Sequence, residues 1–170
     1  MPVSIHAMSA PLFLRMLQNM NTWLDKAEAH ATAKKFDAAN YLGLRLAPDM
    51  LPFTRQIQIA TDTAKLALAR LAGVEAPKWA DDEKTFAELR ARVAKAVDYV
   101  QSIPAAKLEG AEKRQIEMPM GPGRTIKLDG ETMLRGFSIP NFFFHVMMTY
   151  ALLRQGGVEL GKMDYLGPVA

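Results

Sequence analysis

Cysteine is missing from this chain of 170 residues. Its absence excludes disulfides, Fe–S clusters, thiolate zinc sites and a cysteine nucleophile. Histidine is scarce, at three, so at most one histidine-rich metal site can be assembled. Serine stands only at positions 4, 9, 102 and 138, never in a Gly-x-Ser-x-Gly elbow. No His-Glu-x-x-His pair and no nucleotide-binding glycine fingerprint occurs. An excess of one charge is lacking too, with 21 Lys+Arg against 18 Asp+Glu. Basic and acidic residues are interleaved, so a nucleic-acid partner is not expected. The opening Met1-Pro2-Val3-Ser4-Ile5-His6 has no basic n-region, so it is not read as a secretory signal. The most apolar run, 139–153, carries Pro140, Asn141 and His145 and is too short to span a bilayer. No membrane partner and a cytoplasmic location are the expectations.

What is present is helical pattern. Apolar residues make up 49% of the chain. At this length folding can bury roughly 70% of the surface of the extended chain, enough for one core without staples. A single domain over 1–170 is expected. Ser9 is a candidate N-cap for a first helix with Pro11 in its first turn. Its stripe is Leu12, Phe13, Met16, Leu17, Met20, Trp23, Leu24 and Ala27. A connector at 38–50 keeps Tyr41, Leu42, Leu44 and Leu46 for packing. The second helix is predicted over 51–71, with Asp49 as cap and Gly73 as stop. Ile57, Ala60, Ala64, Leu68 and Leu71 form its seam, and Gln58, Asp62 and Lys65 a polar stripe. Pro77-Lys78-Trp79 interrupts the chain. Asp81 and Asp82 are candidate caps for a third helix with core positions Phe86, Leu89, Val93, Val97 and Val100. Glu88 and Arg92 on it are spaced for a surface ion pair.

Residues 115–128 switch to period two. Ile116 and Met118, then Ile126 and Leu128, flank Pro119-Met120-Gly121-Pro122-Gly123, which predicts a β-hairpin. Such a hairpin needs support from the helices. Its glycines lead into a strand rather than a helix, so they are not a phosphate loop. The last helix is predicted from Ser138 to the Gly156-Gly157 stop. It is apolar all round, as a central or interface helix would be. The whole reads as an all-α four-helix bundle with a small β-hairpin before the last helix.

His145, mid-way along that last helix, is the titratable group of most interest. Asn141, four residues earlier, shares its face. Asp62 and Gln58 on the second helix are the expected partners across the bundle, able to orient the imidazole. A core histidine held by one hydrogen bond is the plainer alternative. Lys65 is assigned to a structural pair with Asp62. His6 and His30 are expected at the surface.

Several stretches resemble a bacterial domain-of-unknown-function family, number 1993, of the DinB/YfiT-like superfamily. They are Arg55-Gln56-Ile57-Gln58-Ile59-Ala60-Thr61-Asp62-Thr63-Ala64-Lys65, Pro140-Asn141-Phe142-Phe143-Phe144-His145, and the tail from Gly157 to Gly167. The resemblance implies a DinB-like four-helix bundle, often dimeric. Better-known relatives hold a divalent metal with one histidine from the second helix and a His-x-x-x-His pair on a late helix. Carried over, His145 matches the second of that pair and Asn141 replaces the first. Helix two offers Gln56, Gln58 or Asp62 but no histidine. Three readings follow. The first is a bundle without an intact three-histidine site, binding a small ligand in a polar pocket around His145, Asn141, Asp62 and Gln58. The second is a degenerate metal-dependent transferase or hydrolase with zinc or nickel on His145, Asp62 and Asn141, water completing the shell. The third is a non-enzymatic module that works as a homodimer.

Overall fold

The computed structural model describes residues 3–168. Met1 and Pro2, part of the N-terminal segment read above, lie outside them. The elements in order are α1 (Ile5–Lys34), α2 (Phe53–Ala72), α3 (Phe86–Ser102), β1 (Gln115–Pro119), β2 (Thr125–Asp129), α4 (Gly130–Met133), α5 (Ile139–Gln155) and α6 (Lys162–Leu166). The four long helices form the bundle. α5 packs on α2 and α1, and α3 packs on the other sides of the same two helices. The predicted stripe of α1 is the core: Phe13, Leu17, Met20, Trp23, Leu24 and Ala27 are wholly buried. Phe13 meets Phe142 of α5 edge to face, at 4.8 Å between ring centroids.

Helix starts differ from expectation, each for a local reason. α1 begins at Ile5, capped by Ser4, whose hydroxyl accepts from Ala7 N at 3.1 Å. Ser9 instead lies inside the helix, its hydroxyl donating to Ile5 O at 2.6 Å. Pro11 therefore falls in the helix interior, where it costs one ladder bond, to Ala7 O. Ala7 is exposed, so water can satisfy that carbonyl. α2 begins at Phe53 rather than 51, and neither Asp49 nor any other side chain caps it. The connector does that work: Phe53 N donates to Leu44 O at 2.8 Å and Thr54 N to Leu42 O at 3.3 Å. α3 is capped by Thr85 rather than by Asp81 or Asp82. Thr85 and Glu88 form a reciprocal capping box. Glu88 is thus not paired with Arg92, which is buried.

The hairpin forms as predicted, antiparallel with Gln115 opposite Asp129 and Pro119 opposite Thr125. Ile116 and Met118 are buried against the helices. At the turn, Gly121 and Gly123 hold φ of 102° and 68°, which side chains resist. The last helix starts well before Ser138. Asp129 caps α4 at Thr132 N, 2.7 Å away. α4 runs through a π-helical stretch, Leu134–Ser138, into α5. These make one continuous helix of 26 residues, Gly130–Gln155, long and apolar enough by composition to cross a membrane. In the bundle its residues Phe142, Val146, Leu152 and Leu153 are fully buried against the other helices.

The tail folds back on α1. Trp23 Nε1 donates to Asp164 O, and Asn19 Nδ2 to Tyr165 O, both at 2.9 Å. The Trp23 ring stacks on Tyr165 at 5.7 Å. His30 is half-buried rather than at the surface, with Nδ1 2.6 Å from the Tyr41 hydroxyl. His6 is also half-buried.

Candidate functional site

One face of α2 carries Arg55, Ile59, Asp62, Thr63, Leu66 and Arg70, spaced at helical intervals. Opposite it stand Met118 and Pro119 of β1, Phe137 and Ser138 of the π stretch, and Asn141 of α5. Asp81 closes one end. The cleft between them has a volume of about 310 Å³, at the lower end of the range for small-molecule sites. A π stretch bonds i to i+5 and widens the helix, a feature common at functional sites. Here Ile139 N donates to Leu134 O, five residues back.

Behind the cleft lies an ion network. Arg92 is 2% exposed along its side chain and uses its whole guanidinium. Nε donates to Thr61 Oγ1 at 2.8 Å. The two terminal nitrogens reach Ala80 O at 2.8 Å, Glu83 and Asp81 at 2.9 Å, and Asp62 at 3.1 Å. Asp81 also meets Arg55 at 2.5 Å, and Asp62 meets Lys65 at 2.7 Å. That pair is the expected one, but Lys65 is buried, its ammonium 4.1 Å from the Trp79 ring centroid. Gln58 accepts from Arg55 at 2.6 Å and donates to Glu83 at 2.7 Å. Burial alone would raise the Asp81 pKa. The hydrogen bond from Arg55 and the charges of Arg92 and Arg55 outweigh it and hold that carboxyl below its ordinary value.

The four expected site residues are divided. Asn141 and Asp62 line the cleft. Gln58 belongs to the ion network, and His145 meets neither Asp62 nor Gln58. The His145 partner is Gln56, with Nδ1 to Oε1 at 2.7 Å. Gln56 donates its amide to Leu51 O at 2.8 Å, so its oxygen is the end facing the imidazole. Nδ1 therefore carries the ring proton. Asn141 donates to Thr63 Oγ1 at 2.8 Å. Burial, and then the Arg55 charge, pull the His145 pKa down to about 4. The imidazole is neutral at physiological pH.

That shift has a measurable sign. A histidine with a depressed folded pKa costs nothing above its unfolded value of about 6.5. Below it, the unfolded chain takes up the proton first, so stability falls between about pH 6.5 and pH 4. The fall attributable to His145 reaches roughly 3 kcal/mol. Urea titrations over that window show it as a pH slope, and His145→Gln flattens the slope. An unchanged slope contradicts the assignment.

A metal on His145 and Asp62 does not fit these contacts. The two side chains sit in separate networks. His145 lies in the field of the Arg55 cation, while Asp62 is engaged by Lys65 and Arg92. Asn141 turns its amide donor to Thr63. Among the described residues no cluster of three His, Cys, Asp or Glu side chains is placed to hold a metal ion.

A family model, domain of unknown function DUF1993, matches residues 5–166. The chain belongs to the DUF1993 family. It is also similar to the crystal structure of a DinB family member from Shewanella denitrificans. Identity is 42% over 97% of this chain and 93% of that one, with a TM-score of 0.90. The fold of this DUF1993 protein is therefore DinB-like. No curated protein matches it. Within that frame the residues missed by sequence reasoning are Arg55, Arg70, Thr63 and Arg92. Arg92 carried one signal: it falls beside Leu89 and Val93 on the apolar stripe of α3, where a cation must find buried partners.

Proposed function

We propose that this DinB-like protein binds a small organic molecule in the cleft between α2, the hairpin and the π stretch, without a metal. The supporting observation is the lining itself. Ile59, Leu66, Met118 and Phe137 supply apolar wall, and Thr63, Asn141 and Arg70 supply a few convergent polar groups. Asn141 and Asp62 line that cleft, whereas His145 and Gln58 do not. The test is a fragment screen by ligand-observed NMR on the full chain, repeated on Leu66→Trp, which fills the cleft. Hits should be lost in the variant while its circular dichroism and melting temperature stay near wild type. Hits retained in the filled variant place binding elsewhere and overturn the proposal.

We also propose a homodimer through the outer face of α5, in the cytoplasm. Phe144 and Met147, one turn apart, are 52% and 45% exposed there, an apolar pair that a second copy would cover. Light scattering at micromolar concentration reads it, and a monomer rules it out.

A further inference from the structure

Charge around the cleft does not balance. Three cations, Arg55, Lys65 and Arg92, are matched by Asp62, Asp81 and Glu83. Arg70 is left over. It lines the cleft, it is half-buried, and its side chain has no hydrogen-bond acceptor or carboxylate among the described residues. Burial lowers its pKa and no negative charge offsets the effect. A partly desolvated guanidinium without an acceptor is costly. An anion entering the cleft would relieve it.

We propose that the cleft takes a small organic monocarboxylate, its carboxylate held by Arg70 and its apolar body lying along Leu66 and Ile59. This rests on the cleft being the ligand site. The guanidinium fork matches a carboxylate in a two-bond arrangement. Arg70 lies eight residues beyond Asp62 on α2, about 12 Å along the helix axis. The anionic head is thus kept from the two cleft carboxylates, Asp62 and Asp81. Arg55, Lys65 and Arg92 at the other end are already matched by acids, so no second unpaired cation is there for another negative charge on the ligand. The apolar wall formed by Leu66, Ile59, Met118 and Phe137 would be left uncovered by inorganic phosphate. A short hydrocarbon or aromatic body covers it.

Calorimetric titration of the full chain tests this with straight-chain carboxylates from butanoate to octanoate, with hexanamide and with inorganic phosphate. At least one carboxylate should bind. Arg70→Met should weaken it at least about tenfold and leave hexanamide unchanged, and Arg70→Lys should restore part of the loss. Hexanamide binding as tightly as hexanoate, or indifference to Arg70→Met, overturns the carboxylate anchor while the cleft stands. Phosphate binding more tightly than every carboxylate overturns the organic ligand. No binding by any acid or by the amide takes the anchor and the cleft down together.

Discussion

Arg92→Ala is expected to cost about 3 kcal/mol of stability, the lower end of what removing one partner of a buried ion network costs. The guanidinium is almost wholly buried, whereas Asp62, Asp81 and Glu83 retain 30%, 36% and 12% exposure. Water can therefore take over part of the lost solvation of the acids, which keeps the cost from the upper end. Arg92→Met, which keeps the stem and its packing, should lose nearly as much, because the loss is in charge and hydrogen bonding. Acid dependence supplies a second readout. Asp81 has a folded pKa held below its unfolded one, so it stabilises the fold above the unfolded value. That contribution is lost as pH falls through the folded pKa. In Arg92→Ala the depression shrinks, and the acid slope shrinks with it. Hydrogen exchange should also quicken in residues 79–83, which Arg92 ties to α2 and α3. Urea denaturation measures the first effect. A loss under about 1 kcal/mol, the scale of a surface ion pair, means that Arg92 is not the centre of this network.

Trp23→Ala should cost about 4 kcal/mol, within the range for deleting a buried aromatic side chain. The ring is fully buried, stacked on Tyr165 and set edge to face with Tyr150 at 5.5 Å. Its Nε1 is one of the polar ties between α1 and the tail, with Asn19 Nδ2 and the Lys26–Asp164 pair at 2.5 Å. The substitution should therefore release α6 as well as lower the global stability. Trp23→Phe separates the two effects. It keeps most of the packing and loses the bond to Asp164 O, at about 1 kcal/mol. Limited proteolysis near residues 162–166 reports the tail directly. Unchanged protection of that segment in Trp23→Ala contradicts its role as the docking point.

Much of the bundle was legible because burial imposes periods. The stripe from Phe13 to Ala27 and the alternation of Ile116 and Met118 show up directly as buried residues. Helix starts were less legible, since Ser4 and Ser9 carry the same capping chemistry. Only packing decides that Ser9 turns inward. The site was half legible for a geometric reason. Asn141 and His145 were correctly placed on one face, but the α2 face opposite them is that of Gln56 and Thr63, seven residues apart. Gln58 sits about two residues around the helix from Gln56, which turns it by roughly 200°. It faces α3 and joins Asp62 and Lys65 in the ion network. The pairing of 56 with 145 and of 63 with 141 also shows that α2 and α5 run in opposite directions. Arg70 gave no signal, because an unmatched charge shows only once its neighbours in space are known, which no single sequence displays.

The clasp between Trp23 and the tail also orders events during synthesis. The residues it joins are 141 positions apart, so α1 leaves the ribosome long before α6 exists. Until residues 164 and 165 emerge, the indole and Asn19 lack these partners. α1 is thus made long before its covering surface is completed. Contacts of such sequence separation slow folding and prolong the exposure of apolar surface. A chain truncated just before residue 162 would hold the four long helices and the hairpin, yet keep the unfinished surface of a nascent one.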